Sequence, residues 1–107
     1  SNNDKTHRKL SVQVEDIPNN NYYKQLILRV ESTEPVNFPL TEIVKFHLHT
    51  SFTKPVIEIK PTDNVAELKL VAWGAFTVAA EADNGDSKLE LDIAEEYAHS
   101  EDPFYKR

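Results

Sequence analysis

Hydrophobic and polar residues alternate with a period of two along most of this chain, which is the pattern of half-buried β-strands. Leu89, Leu91 and Ile93, for example, are separated by single polar residues and would share one face of a strand. Such patterns predict seven short strands, at residues 10–15, 22–30, 44–49, 56–60, 65–71, 76–82 and 88–93. Because no long helical pattern separates them, we predict an all-β fold, an antiparallel β-sandwich.

Two turns and one helical segment complete this prediction. Asp83-Asn84-Gly85-Asp86 lies between the last two strands, and Asn-Gly in that setting favours a type I′ hairpin with two central residues at positive φ. Gly74, after Trp73, is expected to let the chain turn tightly between strands 65–71 and 76–82. Only residues 94–99 are expected to form a helical turn.

The folded domain is expected to span residues 10–97. Both ends are polar, so residues 1–9 are interpreted as a linker or cloning remnant and residues 98–107 as a linker. The chain does not begin with Met, and we therefore expect it to be a piece of a longer protein.

Composition limits the partners and the setting. A chain of 107 residues with 39% hydrophobic residues is large enough for one domain with one core. It has neither Cys, nor a membrane-spanning apolar stretch, nor a signal peptide, so we expect a cytoplasmic domain, free or tethered through a membrane-bound parent protein. Residues 81–107 hold 9 acidic and 3 basic residues, which accounts for the whole net charge of −6. Direct nucleic-acid binding is therefore not expected, because phosphates require clustered Lys and Arg.

The candidate functional residues are His49, Ser51, Phe52 and Trp73. Two aromatic side chains with a hydroxyl and an imidazole between them suit a flat, weakly polar ligand. The alternative is that Phe52 and Trp73 are core residues, since large aromatics often anchor sandwich cores. His47 and His49 are two apart on a predicted strand and would point the same way, but no further residues complete a metal site, and no metal or cofactor is expected. Ser51 and His49 lack a glycine-rich elbow and an oxyanion loop, so no enzyme activity is expected.

Two segments of the chain resemble the hallmark motifs of the YEATS domain. Residues 46–52 read Phe-His-Leu-His-Thr-Ser-Phe, similar to the family's Leu-His-x-Ser-Phe strand end, and residues 73–76 read Trp-Gly-Ala-Phe, similar to its aromatic loop. The resemblance extends from about Tyr22 to Ile93 and is strongest to the prokaryotic YEATS-like group. It implies an immunoglobulin-like β-sandwich of seven to eight strands.

The resemblance also implies a function, the recognition of an acylated lysine such as acetyl- or crotonyl-lysine. By this resemblance Phe52 and Trp73 stack on the flat acyl amide, Ser51 hydrogen-bonds it, and His49 orients the Ser51 hydroxyl. The backbone N–H of Trp73, next to Gly74, would bind the acyl carbonyl. A further pocket aromatic would be supplied by Tyr22 or Tyr23; Tyr23 is included in the predicted site.

The expected partners are an acylated protein or peptide and other domains of the parent protein. The prokaryotic group resembles modules found beside transmembrane or signalling-effector domains in bacterial proteins. Two alternative functions remain at this stage. One is a structural or adaptor domain with a vestigial pocket, and the other is a small-molecule sensor within a larger signalling or membrane protein.

Overall fold

The computed structural model describes residues 7–107, which form two antiparallel sheets packed face to face. One sheet has three strands in the order β1-β2-β5, and the other has four in the order β4-β3-β6-β7. The strands are β1 Arg8–Ile17, β2 Asn20–Ser32, β3 Val44–His47, β4 Val56–Ile59, β5 Val65–Ala72, β6 Thr77–Ala82 and β7 Ser87–Asp92. The predicted all-β sandwich of about seven strands is confirmed.

The period-two pattern determines which side chains enter the core. In β7, Ser87, Leu89 and Leu91 are buried while the residues between them are exposed, because successive side chains of a strand point to opposite faces. In β2, three consecutive residues, 26–28, are buried. Ile27 is 6% exposed, but Gln25 and Arg29 on the same face are partly exposed, so the predicted cover on both faces holds only at this position.

The connection between β6 and β7 differs from the predicted type I′ hairpin. Ala82 pairs with Ser87, so four residues form the loop, and Asp83–Gly85 make a 3₁₀ turn in which all three φ angles are positive. Asp83 anchors this turn because its carboxylate accepts hydrogen bonds from Arg8 and from the Ser87 hydroxyl. The Arg8 guanidinium holds the pKa of the Asp83 carboxyl below its usual value of 3.8.

The predicted boundary at residue 9 was wrong. β1 begins at Arg8, whose side chain is 4% exposed and donates to the carbonyls of Phe38 and Pro39 as well as to Asp83. A buried guanidinium needs several acceptors, and these come from two distant parts of the chain. Residues 8 and 9 therefore belong to the sandwich, while residues 1–6 of the predicted linker lie outside the described residues.

The prediction that residues 98–107 are a linker was also wrong. After the helical turn α1, Ile93–Glu96, the chain folds back and forms a 3₁₀ turn at Pro103–Lys106, here called the terminal turn. Phe104 in this turn is 0% exposed and belongs to the hydrophobic core. No helix in residues 7–107 is long and apolar enough to cross a membrane.

A charged contact fastens the terminal turn to β2. The Asp102 carboxylate accepts from the Phe104 N–H at 2.9 Å and lies 3.0 Å from the Lys24 ammonium, which also pairs with Asp16. These bonds lower the pKa of Asp102, first through the Phe104 N–H and then through Lys24. The pKa of Lys24 is raised in turn, chiefly by its hydrogen bond to Asp16. The terminal turn is thus attached to the sandwich by the buried Phe104 side chain and by the Asp102–Lys24 ion pair.

Candidate functional site

A cavity of about 360 Å³ opens at one end of the sandwich. This volume is within the range of about 300–1,000 Å³ typical of small-ligand sites. Three parts of the chain line it: His49, Ser51, Phe52 and Thr53 from the loop after β3, residues 71–76 around the β5–β6 loop, and Arg107. The four residues singled out as candidates from the sequence are therefore brought together around one space.

The loop after β3 directs His49 into this cavity. β3 ends at His47, the Leu48 N–H donates to the carbonyl of Pro55 at 2.7 Å, and the Phe52 N–H donates to the carbonyl of His49 at 3.1 Å. His49 thus begins a tight turn and does not share a strand face with His47, contrary to the prediction. His47 instead lies 2.6 Å from a carboxylate oxygen of Glu81 on the neighbouring strand.

The His49 imidazole fixes the orientation of the Ser51 hydroxyl. The Ser51 N–H donates to Nδ1 of His49 at 3.1 Å, so this nitrogen accepts and carries no proton. The Ser51 Oγ lies 2.8 Å from the same nitrogen, and its hydroxyl must therefore be the donor in that bond. No donor in residues 7–107 reaches the Ser51 oxygen, so both of its lone pairs can accept a hydrogen bond from a ligand.

The two aromatic candidates have different surroundings. Trp73 is 44% exposed and lies nearly parallel to Tyr22, with ring centroids 6.5 Å apart. Phe52 is half-buried and packs against Phe76 at 5.3 Å. Within residues 7–107 the Phe52 and Trp73 rings do not stack on each other, so contact between these rings does not fill the cavity. Trp73 is not a core residue, and Phe52 is at the boundary between core and cavity.

The terminal turn and Arg107 are hydrogen-bonded to the Trp73 loop. The Ala75 N–H donates to the carbonyl of Phe104 at 3.2 Å, and Arg107 Nε donates to the carbonyl of Trp73 at 2.6 Å. The Trp73 N–H lies one residue beyond the β5 ladder and donates to no acceptor in residues 7–107. One backbone donor beside the cavity is therefore available.

Gly74 has a role different from the predicted one. Its φ is not positive, so the turn itself does not require glycine. A Cβ at this position would lie 3.0 Å from Cβ of Arg107 and 3.3 Å from its carbonyl oxygen. Glycine at position 74 is needed because the end of the chain approaches the loop so closely.

Tyr23, predicted as an additional pocket aromatic, does not line the cavity. Its neighbour Tyr22 is the residue that lies beside Trp73, and Tyr23 packs edge-on against the Tyr22 ring. The N–H groups of both tyrosines donate to the Asn20 side chain, and Arg107 fastens Tyr22 by donating to its carbonyl and lying over its ring. The sequence offered two adjacent tyrosines without any signal to separate them.

Arg107 is the functional candidate that sequence reasoning missed. Its guanidinium donates to the carbonyls of Trp73 and Tyr22 at 2.6 and 2.7 Å, and its central carbon lies 4.4 Å from the Tyr22 ring centroid. Nothing in the sequence around Arg107 indicates proximity to Trp73, 34 positions earlier, because the segment was interpreted as a polar linker. The only advance signal was Phe104, an isolated aromatic in that segment.

Comparison with known proteins assigns the architecture to a family. The family model for the prokaryotic YEATS domain matches residues 25–94, which include His49, Ser51, Phe52, Trp73 and Gly74. A comparison with curated proteins found no match.

Proposed function

Because the chain belongs to the prokaryotic YEATS domain family, whose members are YEATS-like binding modules, we propose that it is a non-catalytic reader of acylated lysine. In this proposal the acyl-lysine side chain enters the cavity between Phe52 and Trp73. Its amide stacks on these rings, donates to Ser51 and accepts from the Trp73 N–H. The exposed indole, the open cavity and the unoccupied Trp73 donor support this arrangement.

The hydrogen bonds around His49 carry the proposal. Both the N–H and the hydroxyl of Ser51 point at Nδ1 of His49. The Ser51 oxygen consequently presents only acceptor lone pairs to the cavity, so the ligand group that meets it must be a donor, as a secondary amide N–H is.

The same geometry distinguishes acylated from unmodified lysine. An acylated lysine is neutral, and burying its amide is favourable when both polar groups find partners. An unmodified ammonium would have to leave water for a cavity whose lining residues include no Asp or Glu, and that desolvation is unfavourable. Aromatic contacts with Phe52 and Trp73 would add about 0.5–1.5 kcal/mol each beyond area burial.

Calorimetric titration with acetyl-, crotonyl- and unmodified lysine peptides of one sequence tests this function. Trp73 is the only tryptophan, so its fluorescence reports binding in the wild type, whereas calorimetry is needed for Trp73→Ala. We expect Trp73→Ala to weaken acyl-peptide binding about tenfold or more, since it loses a stacking contact and buried area. Ser51→Ala should weaken it by a similar factor, because the amide N–H loses its acceptor.

Phe38→Ala is the matched aromatic control, because Phe38 is 43% exposed and does not line the cavity. It should leave the affinity unchanged. If the folded wild type binds acylated and unmodified peptides equally, or if Trp73→Ala and Ser51→Ala have no effect, the proposal is wrong. A purely structural or adaptor role would then be favoured.

A further inference from the structure

Among the side chains that line the cavity, a single one is permanently ionised, and its charge is positive. This residue is Arg107, and none of the lining residues is Asp or Glu. This is unexpected in a chain whose net charge is −6. An arginine among lining residues that otherwise carry no permanent charge indicates that the charge of the ligand matters.

The Arg107 guanidinium is already oriented before any ligand binds. Two of its five N–H donors are used by the carbonyls of Trp73 and Tyr22, on the edge formed by Nε and one terminal nitrogen. The ring of Tyr22 lies against its face at 4.4 Å. Three N–H donors, including the pair at the outer end, have no acceptor in residues 7–107.

The charge of Arg107 is also not neutralised by a neighbouring carboxylate. Within residues 7–107 the guanidinium forms no salt bridge. Asp102 is near enough for Arg107 to contribute to lowering its pKa, but the Asp102 carboxylate bonds to Lys24 and to the Phe104 N–H. Paired donors at the end of a guanidinium match the two oxygens of a carboxylate.

From this geometry we infer that Arg107 makes the site selective for acylated lysine that carries a carboxylate, with an acyl chain of the succinyl or glutaryl class as the preferred ligand. The inference rests on the proposed function and adds the chemical class of its acyl group. The acyl amide would occupy the space between Phe52 and Trp73, and the terminal carboxylate would meet the free end of the guanidinium. Because the guanidinium is held by two carbonyls and a ring, little of its freedom is lost on binding.

A matched pair of ligands isolates the carboxylate. Butyryl-lysine and succinyl-lysine have the same four-carbon acyl chain and differ only at its end, so both are placed in one uncharged peptide. We expect the wild type to bind the succinyl peptide about tenfold more tightly, as is typical of a charge-assisted hydrogen bond. In these two peptides the residue beside the modified lysine is Gln. A third peptide carries butyryl-lysine with Glu at that position, and it distinguishes a carboxylate on the acyl chain from one on the peptide.

Arg107→Gln should abolish the succinyl preference. Its loss of the Trp73 contact would affect butyryl and succinyl peptides alike, so the ratio of their affinities is the measured quantity. Lys106→Gln is the matched control, because it removes the same charge from the same segment and Lys106 does not line the cavity. It should preserve the ratio. Raising the salt concentration should weaken succinyl binding more than butyryl binding.

The outcomes separate this inference from the proposed function. If butyryl and succinyl peptides bind equally to the wild type, or if Arg107→Gln leaves their ratio unchanged, the role of Arg107 is refuted while the acyl-lysine site stands. If only the Glu-flanked peptide binds more tightly than the butyryl peptide, Arg107 recognises a carboxylate on the peptide and not one on the acyl chain. If no acylated peptide binds the folded protein, both proposals are wrong.

Discussion

Phe104→Ala is expected to destabilise the whole domain, although the residue lies in a segment that the sequence presents as a polar tail. Phe104 is 0% exposed and belongs to the same core cluster as the residues of both sheets. Removing a fully buried phenylalanine ring costs about 3–5 kcal/mol, because transfer free energy is lost and a cavity remains. The ring also meets the edge of Tyr105 at 5.2 Å and lies 5.8 Å below the Lys24 ammonium.

A loss of this size would be a large part of the total stability. Domains of this length are stabilised by about 5–15 kcal/mol, so a substitution costing about 4 kcal/mol leaves a marginal protein. With a urea dependence of about 2 kcal/mol per molar, the unfolding midpoint should fall by about 2 M. Phe38→Ala provides the matched comparison at a 43% exposed position, where the expected loss is smaller because less of the ring is buried.

Urea titration followed by circular dichroism and by Trp73 fluorescence measures both substitutions. Circular dichroism reports the sheets, and the fluorescence reports the loop that Phe104 and Arg107 hold. The two signals should change together in the wild type if the terminal turn is part of one cooperative unit. A Phe104→Ala variant within about 1 kcal/mol of the wild type would refute the assignment of this residue to the core.

Two further predictions concern Asp83 and Gly74. Asp83→Asn should cost roughly 1.5–3 kcal/mol at neutral pH, because the buried Arg8 loses its charged partner. The folded-state pKa of Asp83 is lowered, so its stabilisation is complete well above pH 3.8 and is lost as the pH falls through the folded-state pKa. The unfolding free energies of the wild type and the variant should therefore become equal in acid. A difference that stays constant below that pH would contradict this. Gly74→Ala should displace Arg107, whose Cβ would lie 3.0 Å from the new methyl group, and should therefore lower the succinyl-to-butyryl ratio of affinities measured by calorimetry. An unchanged ratio would show that the terminal segment adjusts without moving its guanidinium.

Much of the sandwich could be predicted because local patterns determine it. The alternation in β7 matches its burial residue by residue, and the continuous apolar run at residues 26–28 of β2 is buried as a run. Part of the candidate site could also be predicted from the sequence, since His49 and Ser51 are two positions apart and their hydrogen bond is local. Such features depend on neighbours along the chain, and the sequence shows neighbours directly.

The features that the sequence did not reveal depend on distant contacts. The loop at 83–86 is wider than an Asn-Gly turn because Asp83 bonds to Arg8, 75 positions earlier. Phe104 has no periodic apolar neighbours, so the sequence pattern does not distinguish a buried core residue from an exposed aromatic residue in a polar tail. Arg107 reaches the cavity only because the buried Phe104 directs the chain back toward Trp73.

The residue that sets the charge of the cavity lies outside residues 25–94, the segment by which the family is recognised. If Arg107 selects the acyl group as proposed, two proteins that agree throughout that segment can prefer different acyl groups when their chains diverge afterwards. Diversification of ligand preference would then require no change in the shared strands, only in the residues that return to the Trp73 loop. Classifying relatives by the recognised segment alone would then place in one group domains that prefer charged acyl groups and domains that prefer neutral ones.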